Sequence, residues 1–117
     1  MMGHVNNAVY FTYLEQCRMA WWQHLGGSAG LPGADTIIAH AECDYRAPAL
    51  VQDELEIRLT LGDCGRSSFT LLYAIVHAAT GTSIANARTV SVTFDYAIGR
   101  AVPIPEAVRA LLETGRR

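Results

Sequence analysis

The sequence predicts a single α+β domain: one long apolar helix laid on a sheet of about four antiparallel strands, with a short helix closing the chain. Three observations predict it. Apolar residues recur at helical spacing through "AVYFTYLEQCRMAWWQHL". The period changes to two in the segments that follow. Helical spacing returns in "PEAVRALLET" near the end. At 117 residues the chain has the length of one domain, read as spanning 1–117.

The first helix is expected from about Ala8 to about Leu25. Asn6 or Asn7 can cap it. Tyr10, Leu14, Cys17, Trp21 and Leu25 fall on one stripe, which Phe11 and Trp22 widen. Gly26 and Gly27 then end it. A helix of that length runs for about 27 Å, so with its bulky aromatics it belongs at the centre of the domain.

"GGSAGLPGAD" reads as a loop, and "TIIAHAECDYRAP" as a strand that Pro48 ends. "DELEIRLTLGD" alternates: Leu55, Ile57, Leu59 and Leu61 point one way, and Glu54, Glu56, Arg58 and Thr60 the other. Asp63, Cys64 and Gly65 mark a turn. "RSSFTLLYAIVHAA" is the next strand, "TGT" a tight turn, and "SIANARTVSVTFDY" another strand. "IGRAVPIP" reads as irregular, and Pro105 stands at the first turn of the closing helix. On the last long strand Ala85, Ala87, Thr89, Ser91 and Thr93 are small and uncharged. They are expected on the outer face of the sheet, either as an approach surface for a partner or as an ordinary solvated face.

Half of the residues are hydrophobic and 17% are charged. So low a charge fraction fits a domain with a covered face, hence an oligomer, or an Ala-rich chain with a plain polar surface. The formal net charge is -2, with no basic tail or stripe, which argues against a nucleic-acid partner. Cys17, Cys43 and Cys64 are odd in number and widely spaced. They read as buried small apolar residues in a reducing, cytoplasmic compartment, not as a disulfide framework. No apolar run is long enough for a membrane span, and no signal peptide is visible.

The chemistry concentrates at the start, in "GHVNN". The first N–H groups of a helix are unpaired, carry the positive end of its dipole, and suit an anion or a developing oxyanion. Gly3 permits close approach of a ligand to the backbone. Gly3, His4, two short amides and a helix N-terminus can form a carbonyl-binding site, or equally a capping loop with a hydrogen-bonded histidine. Glu15, in mid-helix, is either paired with Arg18 at i,i+3 or a carboxylate facing a cleft and activating water.

"GHVNNAVYFTYLEQCR" resembles the signature of the 4-hydroxybenzoyl-CoA thioesterase-like branch of the hotdog-fold thioesterases. "YRAPALVQDELEIRLTLGDCGRSSFTLLYAI" and "IANARTVSVTFDYAIGRAVPIPEAVRALL" are similar to that family's later strands and exit, so the likeness covers essentially the whole chain. It implies the hotdog fold, a long helix wrapped by a curved antiparallel sheet. It also implies a homodimer built edge to edge, association of dimers into tetramers, and hydrolysis of acyl-CoA or acyl-carrier-protein thioesters at the protomer interface. No cofactor or metal is implied; coenzyme A is part of the substrate. The family motif opens with an aspartate that would stand just before Met1, preceded by a first strand. Relative to the family, the chain is expected to lack both, and to turn over poorly as it stands.

Carried over residue by residue, the resemblance implies that the backbone N–H of Asn7 polarises the thioester carbonyl. Gly3 lines the same turn, and His4 orients the substrate or the acid. Glu15 is the remaining helix carboxylate. Arg66, Ser67 and Ser68 follow a turn and can contact the pantetheine or phosphates of coenzyme A; Arg46 and Arg88 are alternatives, and each is equally readable as a solvated arginine. The competing functions are a thioesterase, a non-catalytic acyl-CoA or acyl-carrier-protein binding domain of the same fold, a hotdog dehydratase, against which "GHVNN" argues, and a structural module. Trp21, Trp22, Tyr10, Phe11 and Tyr13 offer aromatic surface for an aryl or medium-chain acyl group, or simply form the core.

Overall fold

The computed structural model describes residues 7–24, 35–49 and 53–115. Helix α1 (Asn7–His24) is followed by strands β1 (Asp35–Tyr45), β2 (Leu55–Cys64), β3 (Ser68–His77), β4 (Ser83–Asp95) and β5 (Arg100–Ala101), and by helix α2 (Glu106–Gly115). The strands form one antiparallel sheet in the order β1-β4-β3-β2, with β5 added to the end of β4. This is the expected α+β hotdog architecture, helix first and sheet after.

Helix α1 lies within one residue of its expected limits at each end. Leu14 is wholly buried, and Tyr13, Cys17, Arg18, Trp21 and Trp22 are half-buried, while Thr12, Glu15, Gln16, Met19 and Gln23 are exposed. Spacings of three and four between the sheltered positions make the inward stripe. Gly26, Gly27, Leu25 and the loop before β1 lie outside the described residues, as do the side chains of Tyr10 and Phe11. The helix packs chiefly against β2. There Ile57 and Leu59 are half-buried and Leu61 is buried, alternating with exposed Glu56, Arg58 and Thr60.

Residues directly opposite in an antiparallel ladder share a face. Leu71 faces Thr89, Tyr73 faces Ala87 and Ile75 faces Ala85, and all six are buried. The stripe Ala85, Ala87, Thr89, Ser91, Thr93 therefore points inward beneath the helix, not outward as the sequence reading has it; exposed Asn86 and Arg88 hold the outer face. The reason is volume. The core is filled by Leu14, Phe69 and Tyr73, with Tyr13, Trp21 and Trp22 of α1 packed against it, and small residues on β4 leave room for them.

Cover runs out at β1. Ala41 and Tyr45 face Thr89 and Ala85 across the ladder, yet both are exposed, as is Ile38 beside them. The thiols are less sheltered than expected: Cys17, Cys43 and Cys64 are each partly exposed, and none forms a disulfide. At the other end α2 closes the core with Val108 and Leu112, both fully buried, and Ile104 just before it. Glu106 in its first turn suits the positive end of the helix dipole.

Strand β5 falls in the stretch read as irregular. Two residues are too few to show a period. The strand exists because the chain reverses over Asp95–Gly99: Gly99 N–H donates to Asp95 O at 2.8 Å, and Ala97 N–H to the Asp95 carboxylate at 2.8 Å. Gly99 adopts φ +70°, a conformation that disfavours any side chain.

Candidate functional site

Three sets of side chains bear on chemistry. The first is the N-terminus of α1. The described part of the helix begins at Asn7. Gly3 and His4 lie outside the described residues, as does the side chain of Asn7. Glu15 stands about 12 Å further along the axis, and its side chain is exposed. Among the described residues it makes no ion pair with Arg18. Arg18 turns inward instead, donating from Nη1 to the Tyr73 hydroxyl at 3.2 Å. Tyr73 in turn lies 2.7 Å from Thr89 Oγ1.

That chain of Arg18, Tyr73 and Thr89 was not legible as a unit. Arg18 occupies a stripe position, one turn from Leu14 and one from Trp22, where an apolar residue is expected. A polar residue in an apolar stripe is the signal that it meets a buried polar partner. The neighbouring Cys17 thiol is pushed up by burial, opposed by the Arg18 charge. The Cys43 thiol is also pushed up by burial, against a hydrogen bond from Tyr45.

The second set is the turn between β2 and β3. The ladder is irregular between Leu61 and Cys64, and the chain then reverses through Gly65, Arg66 and Ser67. Gly65 N–H donates to Ser68 O at 2.7 Å. Ser67 O accepts from Thr93 N–H at 2.8 Å and from Thr93 Oγ1 at 3.2 Å. A Cβ on Gly65 would lie 3.0 Å from Ser68 Oγ, so a side chain there would require that hydroxyl to shift by a few tenths of an ångström. Arg66 is exposed, and Ser67 and Ser68 are half-buried. The structure thus gathers Arg66, Ser67 and Ser68 on one braced turn. It does not gather the alternatives: Arg46 is exposed at the end of β1, and Arg88 on the outer face is engaged by Glu42 at 2.5 Å, which also sits 3.6 Å from His40. The Arg88 hydrogen bond holds the Glu42 carboxyl below its usual range.

The third set is His77 at the end of β3, with Nε2 3.6 Å from Asp53 Oδ1 and a buried Nδ1 that has no hydrogen-bond partner. Sequence spacing gave no sign of it. Among the described residues no cluster of three His, Cys, Asp or Glu is placed to hold a metal ion, and no helix is long and apolar enough to cross a membrane.

A thioesterase from Thermus thermophilus, crystallised with coenzyme A and zinc, superposes with a TM-score of 0.79 at 30% identity, covering 97% of this chain and 82% of that one. The PA5185 protein of Pseudomonas aeruginosa shares the fold with a TM-score of 0.85 at 24% identity, covering 97% and 80%. The uncharacterized protein YsmA of Bacillus subtilis is 33% identical over 73 residues, 62% of this chain, and the match spans half (50%) of that relative. The family model for the thioesterase-like superfamily matches residues 1–112. With the helix-first hotdog architecture and a family match over nearly its full length, this chain belongs to the thioesterase-like superfamily.

Proposed function

We propose that the protein binds an acyl-CoA thioester and hydrolyses it to a carboxylic acid and free coenzyme A. The observation that carries this reading is the likeness, over 97% of the chain, to a thioesterase crystallised with coenzyme A. In the proposed reaction water adds to the thioester carbonyl carbon, the carbon–sulfur bond breaks, and the thiolate leaves and takes up a proton. The Asn7 N–H at the head of α1 stabilises the oxyanion, worth about 3 kcal/mol for one such donor. Gly3 lines that turn and His4 orients the substrate. Arg66, Ser67 and Ser68 hold the phosphate end of coenzyme A. The substrate carries the coenzyme A or acyl-carrier-protein moiety, and the compartment is the cytoplasm.

The active form is a homodimer that can pair again into a tetramer. Strand β1 supports this: it is an edge strand of 11 residues that exposes Ile38 and Tyr45. Among the described residues no strand pairs with its outer edge, and an edge strand of that length favours pairing with a second copy. Sedimentation at micromolar concentration tests it, and a monomer refutes it.

A second reading, a domain that binds the thioester without cleaving it, is favoured by Glu15. It is the sole carboxylate of α1, and it is exposed, without the shelter that tunes a general base. Thiol release from a panel of acyl-CoAs, run beside calorimetric binding of free coenzyme A, separates the readings. Release supports the hydrolase; binding without release supports the second; neither refutes both. Glu15→Gln is expected to change turnover by less than about threefold. A loss of about 10²–10⁴, the usual weight of a general base, would make Glu15 the water-activating group.

A further inference from the structure

We infer that Arg109 of α2 is a positioning residue for phosphate recognition, holding the β2–β3 turn so that it presents a preformed cradle of donors. The inference rests on the proposed reading that this turn takes the phosphate end of coenzyme A. Arg109 Nη2 donates to Gly65 O at 2.8 Å and reaches Arg66 O at 3.4 Å, across 44 and 43 residues of chain. Ile104 N–H donates to the same Arg66 O at 2.8 Å. With Ser67 O held by Thr93 and Ser68 O by Gly65, all four consecutive carbonyls of the turn are engaged.

This has a directional consequence. Across a trans peptide the C=O of one residue and the N–H of the next point in opposite directions. Carbonyls of Gly65 and Arg66 drawn toward α2 therefore aim the N–H groups of Arg66 and Ser67 away from it. Successive N–H groups turned the same way make an anion-binding concavity, and the exposed Arg66 guanidinium adds a fork suited to phosphate. Arg109 is spent on the carbonyls; its part is to keep the turn in this state before the ligand arrives. The α2 core contacts, Val108 and Leu112, hold the base of Arg109 in place.

The test compares wild type with Arg66→Ala, Arg109→Gln and Arg109→Lys, by calorimetric binding of free coenzyme A and of pantetheine, which lacks the phosphates. Glutamine keeps the helix propensity of arginine but is too short to reach the turn. Arg109→Gln is expected to weaken coenzyme A binding about tenfold, the equivalent of about 1.4 kcal/mol and of the order of fixing one residue's backbone. Pantetheine binding should not change. Arg109→Lys, which keeps the charge and one donor, should fall between. If Arg109→Gln does not fold, Arg109→Lys carries the test, with about threefold loss for coenzyme A alone expected. Equal loss for both ligands overturns the inference, since it marks a general structural defect. So does an unchanged coenzyme A affinity in the Arg109 variants while Arg66→Ala loses it, which leaves the proposed function standing. If coenzyme A binds and Arg66→Ala has no effect, the phosphate end is not at this turn and the inference falls with that placement.

Discussion

Replacing Tyr73 with phenylalanine removes one oxygen and tests the polar thread through the core. Tyr73 is 3% exposed and Thr89 1%. A guanidinium only donates, so Arg18 occupies an acceptor position on the Tyr73 oxygen and leaves the phenolic proton free for Thr89 Oγ1 at 2.7 Å. In Tyr73→Phe the Thr89 hydroxyl is left buried without that partner, at a cost of about 1–3 kcal/mol. Arg18 is half-exposed and rehydrates, so its lost bond adds less than about 1 kcal/mol. The sum is about 2 kcal/mol, or about 8–10 °C in melting temperature for a domain of this size. Thr89→Val should cost less, about 1 kcal/mol, because Tyr73 keeps Arg18. The double variant strands nothing comparable and should be more stable than the sum of the singles predicts, by about 0.5–1 kcal/mol. Urea unfolding of the four proteins at one protein concentration measures this, since any self-association makes stability concentration-dependent. A Tyr73→Phe loss under about 0.5 kcal/mol, or strict additivity in the cycle, refutes the reasoning.

Gly99 stands at φ +70° with open space around a would-be Cβ. Gly99→Ala should therefore cost about 1 kcal/mol from backbone strain alone and Gly99→Asn less; equal stability of all three by chemical unfolding would contradict the conformation. Burial raises the Cys17 and Cys43 thiols, so the folded chain holds both protons more tightly than the unfolded one. Their contribution to stability is complete below the ordinary thiol range of about 8.5–9 and is lost as pH rises through the higher folded values. Alkylation by iodoacetamide at pH 8 should accordingly run slower at these two cysteines in the native protein than in urea, as mass spectrometry of the labelled peptides would report; equal rates would contradict it.

The local periodicities were strong enough to place most of the elements. An apolar recurrence of three and four admits only a helix over α1, and strict alternation admits only a strand over β2, because side-chain direction follows from backbone repeat. The turn expected at Asp63, Cys64 and Gly65 comes slightly later, because Asp63 and Cys64 end β2 and the chain reverses through Gly65, Arg66 and Ser67; Pro105 marked the start of α2. The opening motif pointed to the thioesterase-like family through residues whose own placement lies outside the described ones, and the match over residues 1–112 bears that recognition out.

What period alone leaves open is which face of a strand is inside when both faces are apolar enough. On β4 Ala85, Ala87 and Thr89 alternate with Asn86, Arg88 and Val90, and small residues fit either a close-packed interior or a surface. The register with β3 decided it, by setting them beside Leu71, Tyr73 and Ile75 under the helix. Long-range polar contacts were likewise beyond the sequence. Arg18 meets Tyr73 across 55 residues, and Arg109 meets Gly65 across 44. Hydrogen bonds need directed approach within about 3 Å, and nothing along the chain encodes such a meeting except the packing that brings helix, sheet and turn together. Local structure was written in the spacing of side chains; the assignment of faces, and the bracing of the turn proposed to hold phosphate, came only from how the elements press on one another.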